Sequence, residues 1–277
     1  MDVTFIGGGN MATALIGGLV ARGIATSGIK VVEVLHEARA RHAEQFGITC
    51  VETPAAAVPH GDAVVLAVKP QNMREACQAL APHLGDAVVL SIAAGTRLED
   101  IARWLGGKAR LARCMPNTPA LIGAGISAVY ARPEVGSDQR AIVQSILEAA
   151  GKVVWVDDET LLDPVTALSG SGPAYMFYFL EAMQQAAAEM GLQADTGKLL
   201  AVETMRGAAE LAARSAEPAS VLRERVTSKG GTTERALASM NADGVRDAIV
   251  RAIHAANRRA RELGDELGRD RCFRSSE

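Results

Sequence analysis

The chain has 277 residues, which at ~150 residues per domain predicts two domains. Lys and Arg number 29 against 32 Asp and Glu, a net charge of −3, so a polybasic surface is excluded and no nucleic-acid partner is expected. Hydrophobic residues make up 48%, enough for a packed core, and this excludes a disordered chain. Apolar runs such as that over 63–68 fall far below the ~20 residues needed to cross a bilayer, so no membrane partner is expected. No basic start leads into a long apolar stretch, and Cys50, Cys77, Cys114 and Cys272 are scattered singly. The expectation is a cytoplasmic protein with reduced thiols and no metal.

Taken in chain order, β-branched runs over 3–6, 30–34, 63–68, 87–92 and 110–114 predict strands. Those over 63–68 and 87–92 are apolar throughout, as expected where helices cover both faces of a parallel sheet. Helical patterns over 10–22, 37–46, 71–81 and 98–104 alternate with them. Thr53-Pro54 offers a cap followed by a first-turn proline, and Thr96-x-x-Glu99 reads as a capping box. Two further strands, 126–130 and 153–156, bracket a helix near 139–150. This alternation predicts an α/β Rossmann-like domain over 1–157 with a mostly parallel, doubly wound sheet.

From 158 to 268 no strand is expected, and the prediction is an all-helical domain. Asp163-Pro164 starts a helix that breaks at Ser169-Gly170-Ser171-Gly172-Pro173. The segment that follows, Ala174-Tyr175-Met176-Phe177-Tyr178-Phe179-Leu180, is apolar around its circumference and must be covered on all sides, best by a second subunit. Further helices are predicted over 198–214, 221–226, 234–240 and 245–263. The last aligns Val245, Ile249, Ala252, Ala256, Ala260 and Leu263 on one stripe. Residues 269–277 are polar and read as a disordered tail.

Directly after the first strand, which ends at Ile6, stands Gly7-Gly8-Gly9-Asn10-Met11-Ala12, a G-x-G-x-x-A pattern opening a helix. In that context Gly7 permits the tight turn and Gly9 lets a pyrophosphate approach the backbone. Ala12 holds the helix against the sheet, and the helix N-terminus stabilises the phosphate charge. An acidic residue at the end of the second strand would read the ribose 2′-hydroxyl of NAD. Glu33 has that position, which favours acceptance of NADH, whereas Arg39 and Arg41 on the next helix could reach a 2′-phosphate. Two more strand ends face the same crevice, Ala67-Val68-Lys69-Pro70 and Ala93-Ala94-Gly95. Lys69 is one of only six lysines, which marks it as a cofactor contact.

With these pieces placed, the whole chain resembles pyrroline-5-carboxylate reductase, the enzyme closing proline biosynthesis. The resemblance is carried by the glycine loop, Ala67-Val68-Lys69-Pro70, Ser91-Ile92-Ala93-Ala94-Gly95 and Met115-Pro116-Asn117-Thr118-Pro119. In the helical half it is carried by Leu168-Ser169-Gly170-Ser171-Gly172-Pro173-Ala174-Tyr175 and Val226-Thr227-Ser228-Lys229-Gly230-Gly231-Thr232-Thr233. It implies a helical domain that interlocks with a partner as a homodimer, with dimers assembling into rings such as a pentamer of dimers. It also implies an active site between one subunit's cofactor domain and the helical domain of its mate, and NADPH or NADH as cofactor. Glu33-Val34 departs from the small polar or Asn-Arg-like pair of many relatives, which suits NADPH.

The implied substrate is a small cyclic imine bearing a carboxylate. Ser228, Gly230, Gly231, Thr232 and Thr233 precede a helix, so their N–H groups and the helix dipole suit that carboxylate. Thr233 is the expected catalytic residue, presenting its hydroxyl to the imine nitrogen, although a helix N-cap role would use the same residue type. Asn117 either lines the cleft or stabilises a turn. The five histidines show no ligand spacing and read as surface or core residues. A β-hydroxyacid dehydrogenase would need a lysine near 170–177, which this chain lacks. A related cyclic imine, or a non-catalytic dinucleotide sensor, are the remaining alternatives.

Overall fold

A computed structural model of the chain describes residues 1–268 apart from Pro59 and Ala109, so the tail expected over 269–277 lies outside the described residues. The chain forms two compact units, one comprising residues 1–171 with the C-terminal segment from 256, the other residues 172–255.

The first unit is built on eight strands: β1 (Val3–Ile6), β2 (Ile29–Val32), β3 (Thr49–Val51), β4 (Ala63–Leu66), β5 (Val88–Ser91), β6 (Leu111–Met115), β7 (Gly125–Ala131) and β8 (Gly151–Trp155). Their order is β3-β2-β1-β4-β5-β6-β7-β8, and every pairing is parallel except β6 with β7. The expected doubly wound sheet is therefore present. Strand β3 escaped the sequence pattern because it is only three residues long, pairs on one side and is incompletely buried.

Helices α1 (Asn10–Ala21), α2 (His36–Phe46), α3 (Met73–Leu80), α4 (Leu98–Trp104) and α5 (Ser137–Glu148) connect the strands. Alternation along each strand sends side chains to two cores. Val3, Phe5, Val65 and Leu90 pack with Leu15, Ile16 and Leu19 of α1 and Ile146 of α5. Ile6, Val64, Leu66 and Val89 pack with Met73, Cys77 and Leu80 of α3 and Ile101 of α4. Each of these buried side chains stabilises the fold by ~1.5–3 kcal/mol. Burial pushes the Cys77 thiol up to about 12 and also raises that of Cys114, so both are inert core groups.

Two local expectations fail. Arg97, not Thr96, precedes α4, and the Leu98 N–H donates to Glu159 Oε1 at 2.8 Å. A distant carboxylate thus replaces the capping box, and Thr96 Oγ1 is buried without a partner. Pro54–Ala57 does form one 3₁₀ turn with its proline first, but the Thr53 side chain makes no capping bond.

The segment 158–171, assigned above to the helical half, packs with the sheet. Buried Arg113 on β6 pairs with Glu159 at 3.0 Å and with Asp163 at 4.0 Å. Helix α6 (Leu162–Val165) leads into a π-helical turn over Thr166–Gly170. The predicted break is therefore a widened turn, after which α7 (Gly172–Glu189) begins.

The second unit holds α7, α8 (Ala194–Arg214), α9 (Ala219–Arg225), α10 (Thr232–Ala242) and the first turns of α11 (Val245–Gly268). Gly197 of α8 lies against Ala187 of α7, where an added Cβ would sit 2.9 Å from the alanine methyl. The stripe on α11 is covered at Ala260 but open at Ile249. No described helix is long and apolar enough to cross a membrane.

Candidate functional site

The strand order reverses direction between β2-β1 and β4, and a cleft of about 590 Å³ opens there, beyond the carboxyl ends of the strands. Its walls include Ile6, Gly7, Gly8, Gly9, Glu33, Ala67, Val68 and Lys69, so eight of the residues singled out from sequence converge. Gly7 has φ of +100°, and a Cβ there would meet the Ala67 carbonyl at 2.9 Å, so the turn excludes any other residue. Gly9 is the N-cap of α1, with open space where a Cβ would stand and no side-chain capping bond. Helix geometry leaves the first-turn N–H groups of α1 without intrahelical acceptors directly after the glycine wall of the cleft, which is the arrangement a dinucleotide pyrophosphate needs.

Glu33 is held from both sides. Its Oε2 accepts from Gly8 N–H at 3.0 Å and its Oε1 from Leu35 N–H at 3.0 Å. Arg39 donates to the carbonyls of Glu33 and Val34 at 2.6 and 2.9 Å and pairs with Glu52 at 3.4 Å. Beneath the turn, His42 is buried and its Nε2 lies 2.8 Å from Gly8 O. A carbonyl only accepts, so Nε2 carries the proton.

Of the other expected cofactor residues, none of which lines the cleft wall, Asn10 is exposed, Met11 is half-buried and Ala12 is on the buried face of α1. Pro70 opens a 3₁₀ turn over Pro70–Asn72. Ala93, Ala94 and Gly95 do not line this cleft. Gly95, at φ +76°, lies under Leu263 and Leu267 of α11. Arg41 is exposed on α2, outside the cleft. Asn117 Oδ1 accepts from Ile126 N–H at 2.9 Å, so its side chain stabilises the turn into β7.

In the second unit, the loop over 226–231 ends at Gly231, the N-cap of α10, and no side chain caps that helix. The N-cap role weighed for Thr232 and Thr233 is thus taken by glycine, and both hydroxyls are left for other use. Gly230 N–H donates to Glu234 Oε2 at 2.7 Å and Gly231 N–H to Ser228 O at 3.0 Å. Helix geometry leaves the N–H groups of Thr232 and Thr233 without intrahelical acceptors.

Comparison with known proteins decides the family. Residues 159–263 match the family described as pyrroline-5-carboxylate reductase dimerisation, and residues 2–95 match NADP oxidoreductase coenzyme F420-dependent. The chain is 45% identical over 267 residues to the pyrroline-5-carboxylate reductase of Pseudomonas aeruginosa, covering 96% of this chain and 98% of that one. The chain belongs to the pyrroline-5-carboxylate reductase family. The reductase of Haemophilus influenzae is 40% identical, covering 94% of this chain and 97% of its own. Among solved structures, the reductase of Coxiella burnetii superposes with a TM-score of 0.89 at 38% identity, covering 95% and 98% of the two chains. The Plasmodium falciparum pyrroline carboxylate reductase, solved with NADP bound, gives 0.86 at 25% identity over the same shares.

Against this family background, the residues that sequence reasoning missed are instructive. Glu52, Asn72 and Glu75 line the cleft. Glu52 follows the short strand β3, which no periodicity revealed, and Glu75 sits on α3 as an ordinary exposed helix residue. His42 carried no local signal, because its importance comes from Gly8, 34 residues away.

Proposed function

We propose that this chain reduces 1-pyrroline-5-carboxylate to proline, the last step of proline biosynthesis, with NADH or NADPH as cofactor. The observation that carries the reading is that two devices occur in one chain of this family. One is a glycine turn opening on a cleft at the switch point of the sheet. The other is a Gly-Gly-Thr-Thr loop whose threonines are free of capping duty.

Gly7, Gly8 and Gly9, with the first turn of α1, would hold the pyrophosphate, and Ala67, Val68, Lys69 and Pro70 would border the cofactor from β4. Bound nicotinamide supplies the hydride. Thr233 would hydrogen-bond the imine nitrogen and orient it. Its hydroxyl has no useful acidity at neutral pH, so positioning is its role. Ser228 and the N–H groups of Thr232 and Thr233 would hold the substrate carboxylate. Binding at Gly230 requires Glu234 to release that N–H.

Met176, Phe177, Tyr178 and Phe179 are 49, 58, 76 and 45% exposed on the single chain. The matched dimerisation region supports a homo-oligomer, and we assign this face to a homodimer contact through the helical domain, with dimers assembling further as a ring. A cytoplasmic location rests on the free thiols of Cys50, Cys77 and Cys114, which a reducing compartment preserves.

The test is proline formation coupled to loss of the reduced-nicotinamide absorbance. The wild-type chain should consume cofactor only when the imine is present. Thr233→Ala should lower kcat/KM by ~10²-fold while the dissociation constant for the cofactor stays unchanged. Cofactor binding without any imine reduction would leave the sensor reading in its place. The six-membered imine carboxylate should be used less well, by ~1–3 kcal/mol in transition-state stabilisation.

A further inference from the structure

We propose that this reductase is built for NADH and discriminates against the 2′-phosphate of NADPH, with Glu33 as the reader and Glu52 and Glu75 as flanking charges. The proposal rests on the dinucleotide reading of the cleft given above. A carboxylate placed by chance at a strand end would be mobile. That of Glu33 is fixed by two backbone N–H groups, one of them from the glycine turn itself. Each of its oxygens retains a further lone pair, and both can accept from the vicinal hydroxyls of a ribose seated beyond β2. Such hydroxyls donate, whereas a 2′-phosphate at neutral pH offers acceptors and about two negative charges.

The surrounding charges act in the same direction. The cleft walls carry three carboxylates, from Glu33, Glu52 and Glu75, and one ammonium, from Lys69. Lys69 follows β4, which is separated from β2 by β1, so its backbone stands about 10 Å away from the ribose side at the usual strand spacing. Arg39 is the cation nearest the end of β2. Its Nη1 donates to the carbonyls of Glu33 and Val34, which anchors the guanidinium to the backbone, and its Nη2 faces the Glu52 carboxylate. A phosphate that took Arg39 as its partner would stand beside the Glu52 carboxylate, which already neutralises part of the guanidinium charge. Like charges within a partly desolvated cleft cost enough to set a preference of ~10-fold or more.

The experiment titrates the full-length protein with NADH and with NADPH by calorimetry, without substrate. Wild type should bind NADH ~10-fold or more tightly, and the gap should narrow as salt rises, because part of it acts through space. Glu33→Gln should weaken NADH and narrow the gap. Because that substitution also touches the glycine turn, Glu75→Gln serves as an independent probe on an exposed helix position. It should strengthen NADPH binding by ~3-fold and NADH binding by less, so that the ratio narrows. Equal or tighter binding of NADPH by wild type, or no response of the ratio to either substitution, overturns the proposal. Imine reduction measured in parallel separates the two readings, since a chain that binds NADH selectively but reduces no imine loses the enzyme assignment and keeps this one.

Discussion

His42 bears on the glycine turn from below, and its ring is the reason position 8 must stay small. A Cβ added to Gly8 would stand 2.7 Å from His42 Nε2. The imidazole cannot swing clear, because it is buried and stacked on Phe46 with ring centres 6.0 Å apart. Gly8→Ala should cost ~1–3 kcal/mol of stability and weaken NADH binding. His42→Ala should also destabilise the protein, by ~1–3 kcal/mol, because Gly8 O loses its donor. The double variant should be less damaged than the sum of the two, since the alanine methyl then occupies space the ring has vacated. Urea unfolding of the four proteins checks this, and strict additivity would show that the two groups do not press on each other.

At the level of elements, the Arg113 guanidinium ties together pieces that are distant in sequence. It lies on β6 at 3% exposure, and of its partners Glu159 precedes α6 and Asp163 lies in its first turn. Glu159 Oε1 also takes the first N–H of α4, so one carboxylate serves both a buried cation and a helix terminus. Removing one member of a buried ionic cluster leaves its partners desolvated and uncompensated, which costs more than the cluster's net contribution to stability. Arg113→Ala should therefore lose ~3–5 kcal/mol, visible as a lower urea midpoint, with α4 losing hydrogen-exchange protection alongside. A loss under ~1 kcal/mol, the range of a surface pair, would sink this account.

Across the whole molecule, the sheet unit closes two apolar cores, while helix α7 of the helical unit leaves a run of consecutive large apolar side chains in solvent. Tyr178, Phe177 and Leu199 are 76, 58 and 63% exposed. Each would contribute ~1.5–3 kcal/mol if fully covered. Tyr178→Arg should lower the oligomeric state seen in sedimentation at micromolar concentration and make the melting temperature less dependent on concentration. An unchanged sedimentation coefficient would remove this face from the interface.

How much was legible from residues alone follows from the range of the forces involved. The strand–helix alternation, the glycine turn after β1 and the switch from mixed to all-helical structure were readable, because each is carried by neighbours in sequence through periodicity, backbone strain and hydrogen-bonding capacity. The position of Glu33 at the end of a strand was readable for the same reason. Only the folded chain decided that Glu33 is clamped by Gly8, that Arg39 is anchored through Nη1 to two carbonyls, that Glu159 replaces a local cap at α4, and that Asn117 is committed to a turn. Each of these is a hydrogen bond whose partner the surrounding packing selects among several sterically equivalent donors and acceptors. No single-chain pattern encodes that choice, because it is made when the strands align and water leaves.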